Sequence, residues 1–138
     1  MGAALKVAAS FAVGFAIAGL IAWTSRHHTP GNGCAPGSSC VLKGAANASF
    51  DCLSGNNCQV ECGAGCTTRC VNDSVCSGSC GAGCRFSCGE RSMCKVTLGS
   101  GTLDCSGGST CALTCDGGPC ALHCAADSHC TCLGAGCS

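Results

Sequence analysis

The sequence predicts an all-β chain: a small disulfide-ribbed β-solenoid of about six 18-residue coils, preceded by one N-terminal transmembrane helix. Three observations carry this. Twenty of the 138 residues are cysteine. Those cysteines recur with a period of 18, and residues Val7 to Trp23 form an apolar run without charge. A cysteine fraction this high marks a disulfide scaffold or a metal-thiolate protein. Large apolar groups are scarce, with no tyrosine, one tryptophan and four phenylalanines. An ordinary core cannot be built from so few, so covalent or coordinative links must replace it. Seven basic and seven acidic residues balance, which leaves no electrostatic footprint for nucleic acid or a strongly charged substrate.

Residues 1-6 are expected in the cytoplasm and residues 7-24 form a signal anchor. The run "VAASFAVGFAIAGLIAW" follows Lys6. As a helix it spans about 25 Å, close to the ~30 Å of a bilayer core. It ends "GLIAWTSRHH", a poor small-x-small cleavage site. Trp23 suits an interfacial anchor, and Arg26, His27 and His28 suit a juxtamembrane flank. The expectation is therefore an uncleaved anchor that binds the membrane through Val7 to Trp23. Cleavage, which would secrete the remainder, is the competing outcome. Lysine and arginine hardly decide the orientation, but disulfides persist outside the cytoplasm. They place the cysteine-rich part in the periplasm or at the cell surface. Residues 25-33 serve as a linker, turn-rich at "TPGNG".

Residues 34-138 carry the repeat. Cys34, Cys52, Cys70 and Cys88 are each 18 apart; Cys105 follows after 17 and Cys124 after 19. With these as position 1, position 7 is cysteine in every unit: Cys40, Cys58, Cys76, Cys94, Cys111 and Cys130. Segments such as "CQVEC" and "CRFSC" alternate cysteine or apolar residues with polar ones, the period-2 signature of a strand. Between them lie a glycine-rich gap at positions 12 to 14 and a wider gap rich in Gly, Asn, Asp and Ser at 2 to 6, both turn chemistry. Each unit is thus strand, tight turn, strand, wider turn. One such unit cannot bury its apolar face alone, but a stack of six can. At ~4.8 Å per coil the stack is about 29 Å long.

Coiling brings position 1 opposite 7, and 11 opposite 15. Positions 11 and 15 lose cysteine together, at Gly44 and Ala48 and again at Leu98 and Thr102, as bridged partners should. The expected bridges are Cys34–Cys40, Cys52–Cys58, Cys62–Cys66, Cys70–Cys76, Cys80–Cys84, Cys88–Cys94, Cys105–Cys111, Cys115–Cys120, Cys124–Cys130 and Cys132–Cys137. In the last unit Leu133 is expected beside the glycine turn, with Cys132 kept as partner of Cys137. Links between equivalent positions of adjacent coils are the rival, since those Cα atoms also fall in disulfide range. Each small loop is worth roughly 2 kcal/mol in the chain-entropy model, at most about 20 for ten. Positions 9 and 17 should face each other inside: Leu42 with Phe50, Val60 with Thr68, Gly78 with Phe86, and Leu113 with Leu122. Outside, Lys43 should lie beside Glu61 and Asp51 beside Arg69.

The repeat "CSGGSTCALTCDGGPCALHC" resembles cysteine-rich repeat proteins of myxobacterial type over Cys34 to Cys137. That resemblance implies an exported surface or periplasmic protein and carries no activity. In architecture the solenoid is also similar to the beetle antifreeze proteins, which have shorter coils and a ladder of paired threonines. The outward residues Val41, Gln59, Ser77, Lys95 and Ala112, then Lys43, Glu61, Ser79, Thr97 and Thr114, form no such ladder. Ice binding is therefore a second alternative, after metal-thiolate binding or storage. Against metal, C-x-x-C is absent and one C-x-C occurs, Cys130 to Cys132. No nucleophile–base arrangement or redox C-x-x-C appears, so no enzyme, no catalytic or metal residue and no cofactor is expected. The expected role is a membrane-anchored extracytoplasmic structural, spacer or interaction module. Open coil ends would allow a homo-oligomer or filament.

Overall fold

The computed structural model describes residues 34–138. The expected membrane helix and linker lie outside the described residues. Among the described residues no helix is long and apolar enough to cross a membrane, and all regular structure is β.

Eleven strands follow one another: β1 (Ser39–Gly44), β2 (Ser49–Cys52), β3 (Asn57–Cys62), β4 (Thr67–Cys70), β5 (Val75–Cys80), β6 (Cys84–Cys88), β7 (Met93–Leu98), β8 (Gly101–Cys105), β9 (Thr110–Cys115), β10 (Cys120–Cys124) and β11 (His129–Leu133). Odd strands form one six-stranded sheet and even strands a five-stranded one. Every pairing is parallel, as successive coils of one solenoid must be. Burial alternates along the strands, exposed then buried in β4 and the reverse in β6. The inner faces meet in a core that includes Leu42, Phe50, Val60, Phe86, Val96, Leu103 and Leu113 with the inner cysteines.

Five coils are complete. The sixth supplies β11 and, in place of a second strand, a single bridge between Cys120 and Cys137. About six coils were expected, and in the sixth only Cys137 and Ser138 run along β10 after the turn at Gly134, with Leu122 N donating to Ser138 O at 2.9 Å.

Both departures from the 18-residue period fall in the narrow turn. The fourth coil crosses it with Gly99 and Ser100, the fifth with Asp116 to Pro119. A strand cannot absorb one residue without turning its inner face outward, whereas a turn can. Counting along the repeat therefore misplaces one position. The residue opposite Leu98 is Gly101, paired with Cys84 and Cys120, and not Thr102, which pairs with Arg85 and Ala121. Leu98 is fully buried, and the missing side chain at Gly101 leaves it room where other coils have a disulfide. Gly101 has φ +136°, and a Cβ there would strike the carbonyl of Cys84.

The last coil keeps its expected bridge but differs in which residue faces inward. Leu133 pairs with Thr114 and Cys132 with Leu113. Leu133 stands beside the turn at Gly134 as expected but is an outward position, 66% exposed, and Cys132, bridged to Cys137, takes the central inward position. The reason is again the register: β11 continues the β9 ladder without a slip, so the edge position falls on Gly134, whose Cβ would meet the Cys115 carbonyl.

Candidate functional site

The most organised chemistry in the molecule is its sulfur. All ten near-neighbour pairs are brought together, with Cα–Cα separations from 5.9 to 6.4 Å, inside the range a disulfide tolerates. Among the described residues no cysteine is free. The bridges form two columns. One runs along the wide turn: Cys34–Cys40, Cys52–Cys58, Cys70–Cys76, Cys88–Cys94, Cys105–Cys111 and Cys124–Cys130. The other runs along the narrow turn: Cys62–Cys66 and Cys80–Cys84, then the Leu98/Gly101 gap, then Cys115–Cys120 and Cys132–Cys137. Inner rungs of the wide-turn column are sealed, while Cys34, Cys40 and Cys130 are half-buried and Cys124 is exposed.

Sulfurs of successive rungs also pack on one another. Those of Cys34, Cys40 and Cys58 lie within 4.8 Å of one another, as do those of Cys52, Cys70 and Cys76, of Cys70, Cys88 and Cys94, of Cys62, Cys66 and Cys80, and of Cys105, Cys111 and Cys130. Such trios have the spacing of soft-metal ligands, but metals bind thiolates, and here each sulfur is engaged in an S–S bond.

A further internal column escaped the sequence reading, which assigned positions 2 to 6 to a solvated turn. Position 5 is Ser38, Asn56, Ser74, Ser92, Ser109 and Ser128 in the six coils, and Asn56, Ser74, Ser92 and Ser109 are buried. They hydrogen-bond the turn to itself and to the preceding coil. Ser74 Oγ donates to the carbonyls of Cys52 (3.1 Å) and Val71, Asn56 Nδ2 to that of Cys34 (3.4 Å), and Ser109 Oγ to that of Ser106 (2.6 Å). The signal was present: one small hydrogen-bonding residue always stands two places before position 7.

The wide turn itself explains why this column points inward. In the four coils whose column residue is buried, positions 3 and 4 are both left-handed: Ser54 and Gly55 (51°, 73°), Asn72 and Asp73 (57°, 59°), Glu90 and Arg91 (54°, 59°), and Gly107 and Gly108 (64°, 72°). Two consecutive positive φ values define a type I′ turn. The turns stack by backbone hydrogen bonds too, including Gly55 N to Asn72 O at 2.9 Å and Arg91 N to Gly107 O at 2.8 Å.

Charged groups lie outside and join adjacent coils. Lys43 meets Glu61 at 2.8 Å, Arg69 meets Asp51 at 3.3 Å and His123 meets Asp104 at 2.7 Å. The first two are the neighbours expected from the repeat. Arg91 clasps Asp73 with both ends of its guanidinium, at 2.8 and 2.9 Å. That hydrogen bonding holds the Asp73 carboxyl below its ordinary pKa and raises that of Arg91. These exposed pairs fix the register and are individually weak. A shallow open groove of about 490 Å³ lies over the first coils, lined by Ser39, Cys40, Val41, Asn57, Gln59 and Ser77, none of them charged. The outer columns of the odd strands place Thr97 beside Thr114 but surround them with Ser79 and Leu133, so they form no extended threonine ladder.

No family model, curated protein or solved structure matches this chain. The resemblance to exported cysteine-rich repeat proteins therefore rests on the repeat pattern alone, and function must be argued from the columns and faces above.

Proposed function

We propose that the chain is a structural, spacer or interaction module held at the outer face of a membrane by its N-terminal segment. The observation that carries this reading is the closure of every bridge within its own coil. Each coil is ribbed covalently, and neighbouring coils are joined without a covalent link, by parallel ladders, stacked turns, core packing, ion pairs and the serine column. A stack of that kind sets a length and holds a surface without needing a large apolar core. Bridges of this number also call for an oxidising compartment. The outer faces offer hydrogen-bonding and small apolar groups for a partner. The first and last coils present strand edges through which a second copy could add, giving a homo-oligomer or filament.

The direct test is intact mass without and with reductant. Full bridging appears as twenty protons gained on reduction, and the same spectrum reads whether residues 1-24 are retained. A spacer role is tested by deleting one coil, residues 52–69, which joins Asp51 to Cys70 in register. The shortened chain should fold and lose one coil of length, about 4.8 Å, with graded loss of function in cells. Sedimentation of residues 34–138 tests self-association; a monomer at high concentration removes that part of the proposal.

A further inference from the structure

The bridges are ribs of separate coils, but their packing places them within reach of one another. In register, Cys40 pairs with Cys58 and Cys52 pairs with Cys70. Parallel neighbours sit about 4.8 Å apart, a Cα separation that a disulfide accepts. The sulfurs follow suit: Cys40 and Cys58 belong to one set within 4.8 Å, and Cys52 and Cys70 to the next. These contacts alternate with the native bonds Cys34–Cys40, Cys52–Cys58 and Cys70–Cys76. Bond and contact thus form one continuous line of sulfur, from half-buried Cys34 to Cys76, with Cys52, Cys58, Cys70 and Cys76 all 0% exposed.

We propose that this line is a thiol–disulfide exchange relay, through which a thiol from solvent or a partner protein reaches bridges that it cannot touch directly. The proposal rests on the bridge pairing above. The external thiolate attacks Cys34 Sγ, forms a mixed disulfide there and releases Cys40 as thiolate. Cys40 attacks Cys58, making Cys40–Cys58 and releasing Cys52. Cys52 attacks Cys70, making Cys52–Cys70 and releasing Cys76, which takes up a proton. Every step breaks one S–S bond and makes one, so the chain is isomerised without net redox change. If the external partner is a dithiol, its second thiolate attacks the mixed disulfide and frees Cys34. The partner leaves oxidised by two electrons, and the chain holds two new thiols, Cys34 and Cys76. Burial excludes the reagent but not the relay, because attack needs access only between neighbouring sulfurs.

The test uses the full oxidised chain with limiting glutathione at neutral pH. Samples are quenched in acid, alkylated and mapped without reduction. The zero-time map reads the native pairing, so an error there is seen separately from failure of the relay. The expected early products carry glutathione on Cys34, the 18-apart links Cys40–Cys58 and Cys52–Cys70, and an alkylated Cys76. Cys52→Ala with Cys58→Ala removes the middle rung, and early alkylation of Cys76 should be lost. If reduction instead follows unfolding, that weakened variant exposes Cys76 sooner. Should it not fold, Cys34→Ser with Cys40→Ser removes only the outermost rung and should likewise abolish early Cys76 alkylation. Absence of the 18-apart links, or Cys76 reacting as fast or faster in either variant, overturns the proposal.

Discussion

Thr68 is a misfit in the core. It is 0% exposed, and among the described residues its Oγ1 is the buried side-chain oxygen that finds no hydrogen-bond partner. In the ladder it lies between Phe50 and Phe86, where aromatic rings replace any acceptor. A buried unsatisfied hydroxyl costs about 1–3 kcal/mol. Thr68→Val exchanges the hydroxyl for a methyl of nearly equal volume and keeps the β-branch that suits a strand. We expect a gain of about 1–2 kcal/mol, the lower part of that range allowing for imperfect fit of the methyl between the rings. Guanidinium unfolding with the bridges intact measures it. With m near ~4 kcal/mol/M, the midpoint should rise by roughly 0.4 M at unchanged m. Thr68→Ser provides the contrast: it keeps the hydroxyl, loses the methyl, and should cost about 1 kcal/mol. Thr68→Val proving neutral or destabilising would refute the reasoning, since the hydroxyl must then be satisfied in the folded chain.

Gly78 has φ +151°, and a Cβ there would strike the backbone of Val60 in the coil beneath. Gly78→Ala should therefore destabilise by roughly 3 kcal/mol, read as a lower unfolding midpoint or a scrambled peptide map; a wild-type midpoint would count against it. Glu90 sits in the left-handed region at φ 54°. Glu90→Gly should stabilise by up to about 1 kcal/mol, because relief of the left-handed strain exceeds the added chain entropy; thermal unfolding reports the sign. Asp73 has its pKa lowered by Arg91, so its ion pair contributes above the unfolded carboxylate range and is lost as pH falls through the lowered folded value. NMR titration should find Asp73 below the ordinary ~3.9 and returned toward it in Arg91→Gln; an unchanged midpoint in the variant would dismiss the clasp.

Much of this architecture was legible because a repeat samples the same environment several times. The joint absence of cysteine near Gly44 and Leu98 pointed to pairing across the narrow turn. The charges at Lys43 and Glu61, and at Asp51 and Arg69, pointed to the register. Spacing alone pairs Gly78 with Phe86, and the structure adds a reason for glycine from the backbone: its φ and the nearness of the Val60 carbonyl. Thr102 was misplaced because a length change in a turn looks the same, in a one-dimensional count, as one inside a strand. The serine column was missed because serine in a gap has the composition of a solvated turn. Only the paired left-handed residues before it swing it inside.

Alternation, period and cysteine spacing by themselves determined that this chain stacks parallel two-strand coils with apolar and sulfur groups inside, because a strand has only two faces and a repeat must bury the same one each time. What the tertiary structure alone decided was position across coils: Gly101 opposite Leu98, Cys132 over Leu113, hydroxyls sealed beneath the turns, and Cys58 sulfur beside that of Cys40. Those depend on where each turn takes up or gives back a residue. Turn length acts on the three-dimensional stack, and sequence spacing reports only its sum.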